Sequence, residues 1–114
     1  MRLIWELDAG FPPPLVNQPV FTLDGRLLGI ADILDPVAGV VGEFDGADHR
    51  AAKRHSKDVG REDGFRRRAL EFFGVTGLDL PDPPLVADRM QSSRSRATWL
   101  SEAARPWTIV PPPW

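Results

Sequence analysis

An α+β (α/β) domain with a mixed central sheet flanked by helices is what this sequence predicts, on three observations. Three strand-like apolar segments follow one another between residues 16 and 44, separated only by turn signals at Asp24-Gly25 and at residues 36–39; this is the pattern of consecutive antiparallel strands. A charged segment over residues 48–68 then precedes a fourth apolar run at 70–76. A strand–helix–strand step of this kind sets the fourth strand parallel to the third through a right-handed crossover. Segments 1–9 and 83–97 carry apolar residues at helical spacing and supply the flanking helices. The expected order is helix, three antiparallel strands, helix, strand, helix.

With 114 residues, 42% hydrophobic and 26% charged, the chain suffices for one domain with its own core. It has no cysteine, which excludes disulfides and thiolate metal sites. No apolar run approaches the ~20 residues of a membrane span and no secretory pattern opens the chain, so a cytoplasmic protein with no membrane partner is expected. The formal net charge of -2 hides an asymmetry: residues 1–46 carry two bases and seven acids, residues 47–68 eight bases and four acids. An acidic segment followed at once by a basic one suits metal-assisted chemistry on a polyanion; a solvated charged helix is the plainer reading.

The first helix presents Leu3, Ile4 and Leu7 on one side and stops at Gly10. Its abrupt start predicts that the chain is a trailing part of a longer protein. Pro12, Pro13 and Pro14 make a stiff connector. Residues 16–22 read as a strand whose Pro19 points to an edge or a bulge. Asp24-Gly25 signals a two-residue type I′ hairpin turn, and residues 26–34 and 37–44 are the second and third strands. In the helix over 48–68, Gly60 and Gly64 each cost about 1 kcal/mol against alanine, so packing of Val59 and Phe65 must hold it. The last helix, 83–97, places Leu85, Val86, Met90 and Ala97 near one face. Residues 107–110 add a short strand to a domain of residues 1–110, before a free proline-rich tail, 111–114. No internal repeat is visible.

Each of the two central strands carries acids where apolar residues belong: Asp32 between Ala31 and Ile33, and Glu43 and Asp45 either side of Phe44. A tight turn over residues 36–39 sets position 35 across from 40 and position 32 across from 43. Opposed residues have Cβ atoms about 4.5–5.5 Å apart, and Asp45 shares the face of Glu43. The register thus predicts three carboxylates in one patch. Two like charges about 5 Å apart repel by roughly 3 kcal/mol at an effective dielectric near 20, so the patch needs a proton, a base or a cation. Oxygen donors of this kind suit Mg²⁺, Mn²⁺ or Ca²⁺. The same repulsion predicts that Glu43→Gln raises the melting temperature of the metal-free protein.

The run E-F-D-G-A-D-H at 43–49 resembles the E-x-D-G-x-x-H signature of the Vsr-like (very-short-patch-repair-like) endonuclease domains, small members of the PD-(D/E)XK superfamily. The hairpin N-Q-P-V-F-T-L-D-G-R-L-L-G-I-A-D-I-L-D-P at 17–36 is similar to the one that delivers that family's first acid, and V-T-G-L-D-L at 75–80 to its strand after the helix. The likeness covers nearly the whole chain. It implies a restriction-endonuclease-like core and a divalent-metal-dependent endonuclease that hydrolyses phosphodiester bonds of DNA, or of RNA. By position, Asp32 resembles the metal-binding aspartate, Glu43 the second acid, and His49 the histidine after the D-G turn. Asp45 stands where the better-known form of the superfamily has lysine, so a second cation or a base on the next helix, with Lys53 and Lys57 nearest, has to replace it. Glu6 is a candidate for the acid that relatives carry on an upstream helix.

The implied mechanism has Mg²⁺, or Mn²⁺, on Asp32, Glu43 and Asp45 polarise a phosphoryl oxygen and activate water, with His49 as proton shuttle. Arg50, Lys53, Arg54 and Lys57 contact flanking phosphates of the nucleic acid. Plainer readings stand beside these: Asp32 as a hydrogen-bonded strand acid, Asp45 as turn chemistry before Gly46, His49 as a packing residue. Trp5, Trp99, Trp107 and Trp114 are core or rim aromatics, with Trp107 and Trp114 also candidates to stack on bases; Asp35-Pro36 is a turn. A nuclease fold that no longer cuts and serves as a nucleic-acid-binding or regulatory module is the alternative function.

Overall fold

In a computed structural model, which describes residues 1–46 and 60–114, five strands form one mixed sheet in the order β4-β3-β2-β1-β5. The strands are β1 (Leu15–Thr22), β2 (Leu27–Asp35), β3 (Val40–Asp45), β4 (Glu71–Thr76) and β5 (Trp107–Thr108). β1 pairs antiparallel with β2, β2 antiparallel with β3, and β3 parallel with β4, as the succession of turns and the intervening helix requires. Residues 60–66 are helical (α1); the rest of the expected helix as far as residue 59 lies outside the described residues. The last helix is α2 (Pro83–Arg96), whose Asp82 side chain accepts the Leu85 N–H at 3.3 Å as an N-cap. No helix among the described residues is long and apolar enough to cross a membrane.

Adjacent strand residues point to opposite faces, and the core divides accordingly. Ile33, Val40, Phe73 and Val75 pack with Ile4, Trp5, Val86 and Met90 on the α2 face. Leu34, Val41 and Val20 pack with Phe65, Leu70 and Trp107 on the α1 face, joined there by Ala31, which departs from alternation with Ile33. Gly42 marks the closest approach: a Cβ there would stand 2.3 Å from Phe73 Cζ and 2.8 Å from Ile33 Cγ1. Phe65 is fully buried, as its share of that packing requires, and Val59 lies outside the described residues.

Several expectations need correction. The N-terminal helix is π-helical over Ile4–Asp8 and buries Ile4 and Trp5, while Leu3 and Leu7 are exposed; Trp5 reaches the core by donating its indole N–H to the Pro12 carbonyl at 2.9 Å. On α2 the buried face is Val86, Ala87, Met90 and Ser93, and Leu85 is exposed. The β1–β2 hairpin has a three-residue loop: Gly25 N–H bonds to Thr22 O, Thr22 N–H to Arg26 O, and only Gly25, at φ +91°, takes the left-handed conformation. Thr22 Oγ1 donates to Asp24 and accepts from Arg26 N–H, which favours this longer closure over a type I′ turn. The expectation at Pro19 holds: β1 is an edge there, because β5 pairs only with Phe21 and Thr22, and a register shift follows Val20. The tail is not free, since Trp114 and Pro112 lie against Gly25.

Candidate active site

The turn at residues 36–39 sets the register as the sequence predicts. Asp35 pairs with Val40, Leu34 with Val41 and Ile33 with Gly42. Asp35 Oδ1 accepts the N–H groups of Val37 and Ala38 at 3.1 and 3.2 Å, and Gly39, at φ +85°, closes the bend. Asp35 does more than shape a turn. It is 8% exposed and its other oxygen accepts from Arg94 Nε of α2 at 2.8 Å.

Beyond Ile33 and Gly42 the ladder ends, and the next position carries Asp32. Its Oδ2 accepts the N–H of Phe44 at 2.6 Å. A strand N–H lies in the plane of the sheet, so the Asp32 carboxylate fills the place of the ladder acceptor that the parting strands withdraw. Asp32 is thus a hydrogen-bonded strand acid.

Glu43 follows Val41 on the α1 face and is 7% exposed. Arg61 of α1 donates to its Oε2. Gly29 of β2 makes room for that arginine, since a Cβ there would meet Arg61 Cδ at 2.9 Å and Phe65 Cζ at 3.0 Å. The base expected from the next helix is therefore Arg61 among the described residues. Its signal was its position four residues before Phe65: one helix face carries both, and Phe65 is in the core. Lys53 and Lys57, the bases that sequence reasoning favoured, lie outside the described residues, as do His49, Arg50 and Arg54.

Asp45 ends β3, on the face of Glu43 by alternation but exposed, across from Thr76 of β4. The three carboxylates are not gathered into the single patch that the register implied. Among the described residues no three His, Cys, Asp or Glu side chains are grouped to hold a metal ion. The physical reason lies in the partners. Asp32 is drawn into the ladder by Phe44, Glu43 is drawn onto α1 by Arg61, and Asp45 is exposed at the end of β3.

Beside Asp45, at the same end of the sheet, Asp79 accepts from Thr76 N–H at 2.9 Å and from Arg89 at 2.7 Å. The Arg89 hydrogen bond, then those of Thr76, hold its carboxyl at about 2 against an ordinary 3.8. Asp79 is thus committed to an ion pair and not a candidate ligand.

Mg²⁺ keeps several waters and takes one or two carboxylates together with substrate phosphate oxygens. Asp32 and Glu43 are hard oxygen donors on neighbouring strands, but Asp32 is turned to the Phe44 N–H and Glu43 to Arg61 on the α1 face, so a shared ion would need Glu43 to leave Arg61. Trp107 is 4% exposed and cannot stack on a base; Trp114 is exposed. No family model, curated protein or solved structure matches the chain.

Proposed function

We propose that this domain is a divalent-metal-dependent endonuclease-type hydrolase acting on phosphodiester bonds of DNA, built on a restriction-endonuclease-like core. The observation that carries the reading is the delivery of Asp32 and Glu43 by adjacent antiparallel strands to the same open end of their ladder, joined through the Phe44 N–H. The element order supports it: a helical turn, three antiparallel strands, a helix, and a strand parallel to the third make the succession that the motif resemblance implies.

In this reading Asp32 and Glu43 hold Mg²⁺ or Mn²⁺, with Asp45 at the rim. The ion supplies charge stabilisation at the phosphoryl oxygens and a more acidic bound water. The chain's own groups do the rest. Phe44 N–H fixes the orientation of the Asp32 carboxylate. Arg61 holds Glu43 in place through their ion pair, and its guanidinium would also suit a substrate phosphate. His49 serves as proton carrier, and Arg50, Lys53, Arg54 and Lys57 bind the flanking backbone.

Supercoiled-plasmid nicking with Mg²⁺ or Mn²⁺ tests it. Nicking by the native chain and loss of nicking in Asp32→Ala and Glu43→Ala is the expected result. One observation favours a second reading, a nuclease fold that binds nucleic acid without cutting: Glu43 is already neutralised by Arg61, which satisfies the acid with no cation. Retained DNA binding with no metal-dependent nicking selects that module.

A further inference from the structure

Asp32 also lines a cavity of about 550 Å³ on the α2 side of the sheet, whose walls include Arg2, Val16, Asn17, Phe44 and Leu80. We infer that this cavity receives one unpaired nucleotide of a single-stranded or locally opened nucleic acid, its base lying on Phe44. The inference rests on the nuclease-type reading of Asp32 and specifies the substrate class.

Three observations select that ligand. Phe44 is 42% exposed, although it sits between two acids on a central strand of the sheet, so part of its ring is open to a planar partner. Base–aromatic stacking is sequence-tolerant because every base has a π-face. Asn17 stands opposite Asp32, between the pairs Val16–Ile33 and Gln18–Ala31, in the left-handed conformation at φ +48°. Asparagine tolerates that conformation better than other non-glycine residues. Its amide, which both donates and accepts, lines the cavity and suits a base edge. Arg2, on the same wall and paired with Glu6 at 3.3 Å, would turn its cation to the neighbouring phosphate. The volume is that of a small-ligand site.

The duplex state is disfavoured by the same geometry. A paired, stacked base hides both faces, and enzymes that engage a single base must extrude it or act on single strands. Phe44 shares the cavity with Asp32, so a base on its ring is set next to a phosphate that Asp32 would address, while Glu43 and Asp45 face the α1 side.

The test is a fluorescence anisotropy titration, in Ca²⁺, of a labelled oligothymidylate and of the same strand annealed to its complement. The native chain should bind the single strand more tightly than the duplex. Phe44→Ala should weaken single-strand binding about 5- to 150-fold, the range of one stacked base, and Phe44→Trp should retain it. An unchanged melting temperature for Phe44→Ala secures the comparison, and Asn17→Ala should give a smaller loss. Equal single-strand binding by the native chain and Phe44→Ala, or duplex preference in both, overturns the inference. The two proposals separate cleanly. Phe44-dependent strand binding without metal-dependent cleavage keeps the cavity and removes the hydrolase. Cleavage indifferent to Phe44→Ala does the reverse.

Discussion

Arg94 Nε of α2 donates to Asp35 Oδ2 at 2.8 Å, joining the last turn of the helix to the residue that ends β2. The guanidinium carbon lies 4.4 Å from the Phe11 ring centre and 4.8 Å from that of Trp99, so two aromatic faces and one carboxylate enclose it. The same carboxylate caps the bend that fixes the β2–β3 register. One ion pair thus ties helix, connector and turn to the strand pair that carries Asp32 and Glu43.

Breaking this pair from the acid side strands a largely enclosed cation and leaves two turn N–H groups without their acceptor. Asp35→Ala should cost about 3 kcal/mol, the low end for removing one partner of a buried pair, because the Arg94 side chain is still 19% exposed. Asp35→Asn keeps an oxygen for Val37 and Ala38 and should cost less. Urea unfolding monitored by tryptophan fluorescence measures both.

Arg61 and Glu43 reverse one expectation drawn from like-charge repulsion. Because Glu43 carries Arg61, Glu43→Gln should lower the melting temperature of the metal-free protein and not raise it. Arg61→Ala should also destabilise, by about 2 kcal/mol, by taking the guanidinium from a buried carboxylate. Mn²⁺ should then raise the melting temperature of Arg61→Ala more than that of the native chain, since the competitor is gone. Thermal melts with and without Mn²⁺ read all three, and an equal Mn²⁺ response in both proteins would count against Glu43 as a ligand.

Asp79 makes acid stability predictable in sign. Its carboxyl titrates at about 2 in the fold against 3.8 ordinarily, so the folded state binds its proton less readily than the unfolded one. That contribution is fully present above about pH 4 and is lost as pH falls towards 2. Asp79→Asn should flatten the fall in urea midpoint over that window and leave its slope above pH 5 unchanged. Midpoints measured from pH 2 to 7 check it.

Gly42→Ala should destabilise by about 2–3 kcal/mol. Its added methyl would fall 2.3 Å from Phe73 Cζ and 2.8 Å from Ile33 Cγ1, so the ring or the strand must shift within a packed core. Denaturant unfolding gives the magnitude, and a loss under 0.5 kcal/mol would show that the Phe73 ring swings aside.

Turn chemistry and strand patterning carried most of the fold in the sequence. Pro36 to Gly39 set Asp35 across from Val40, the β-rich runs set three antiparallel strands, and the charged segment before Leu70 set β4 parallel to β3. These are local or pairwise constraints, and a local pattern states them directly. The positions of Asp32 and Glu43 on adjacent strands were legible for the same reason.

What only the tertiary structure decided is where those carboxylates go. Their orientation depends on partners distant in the chain: the Phe44 N–H freed where two strands part, and Arg61, eighteen residues from Glu43. The burial of Trp107, the docking of Trp114 on Gly25 and the reach of Arg94 to Asp35 are of the same kind. Periodicity reports which face a residue occupies but not which charge or hydrogen bond meets it there, because that partner is set by the packing of whole elements against one another.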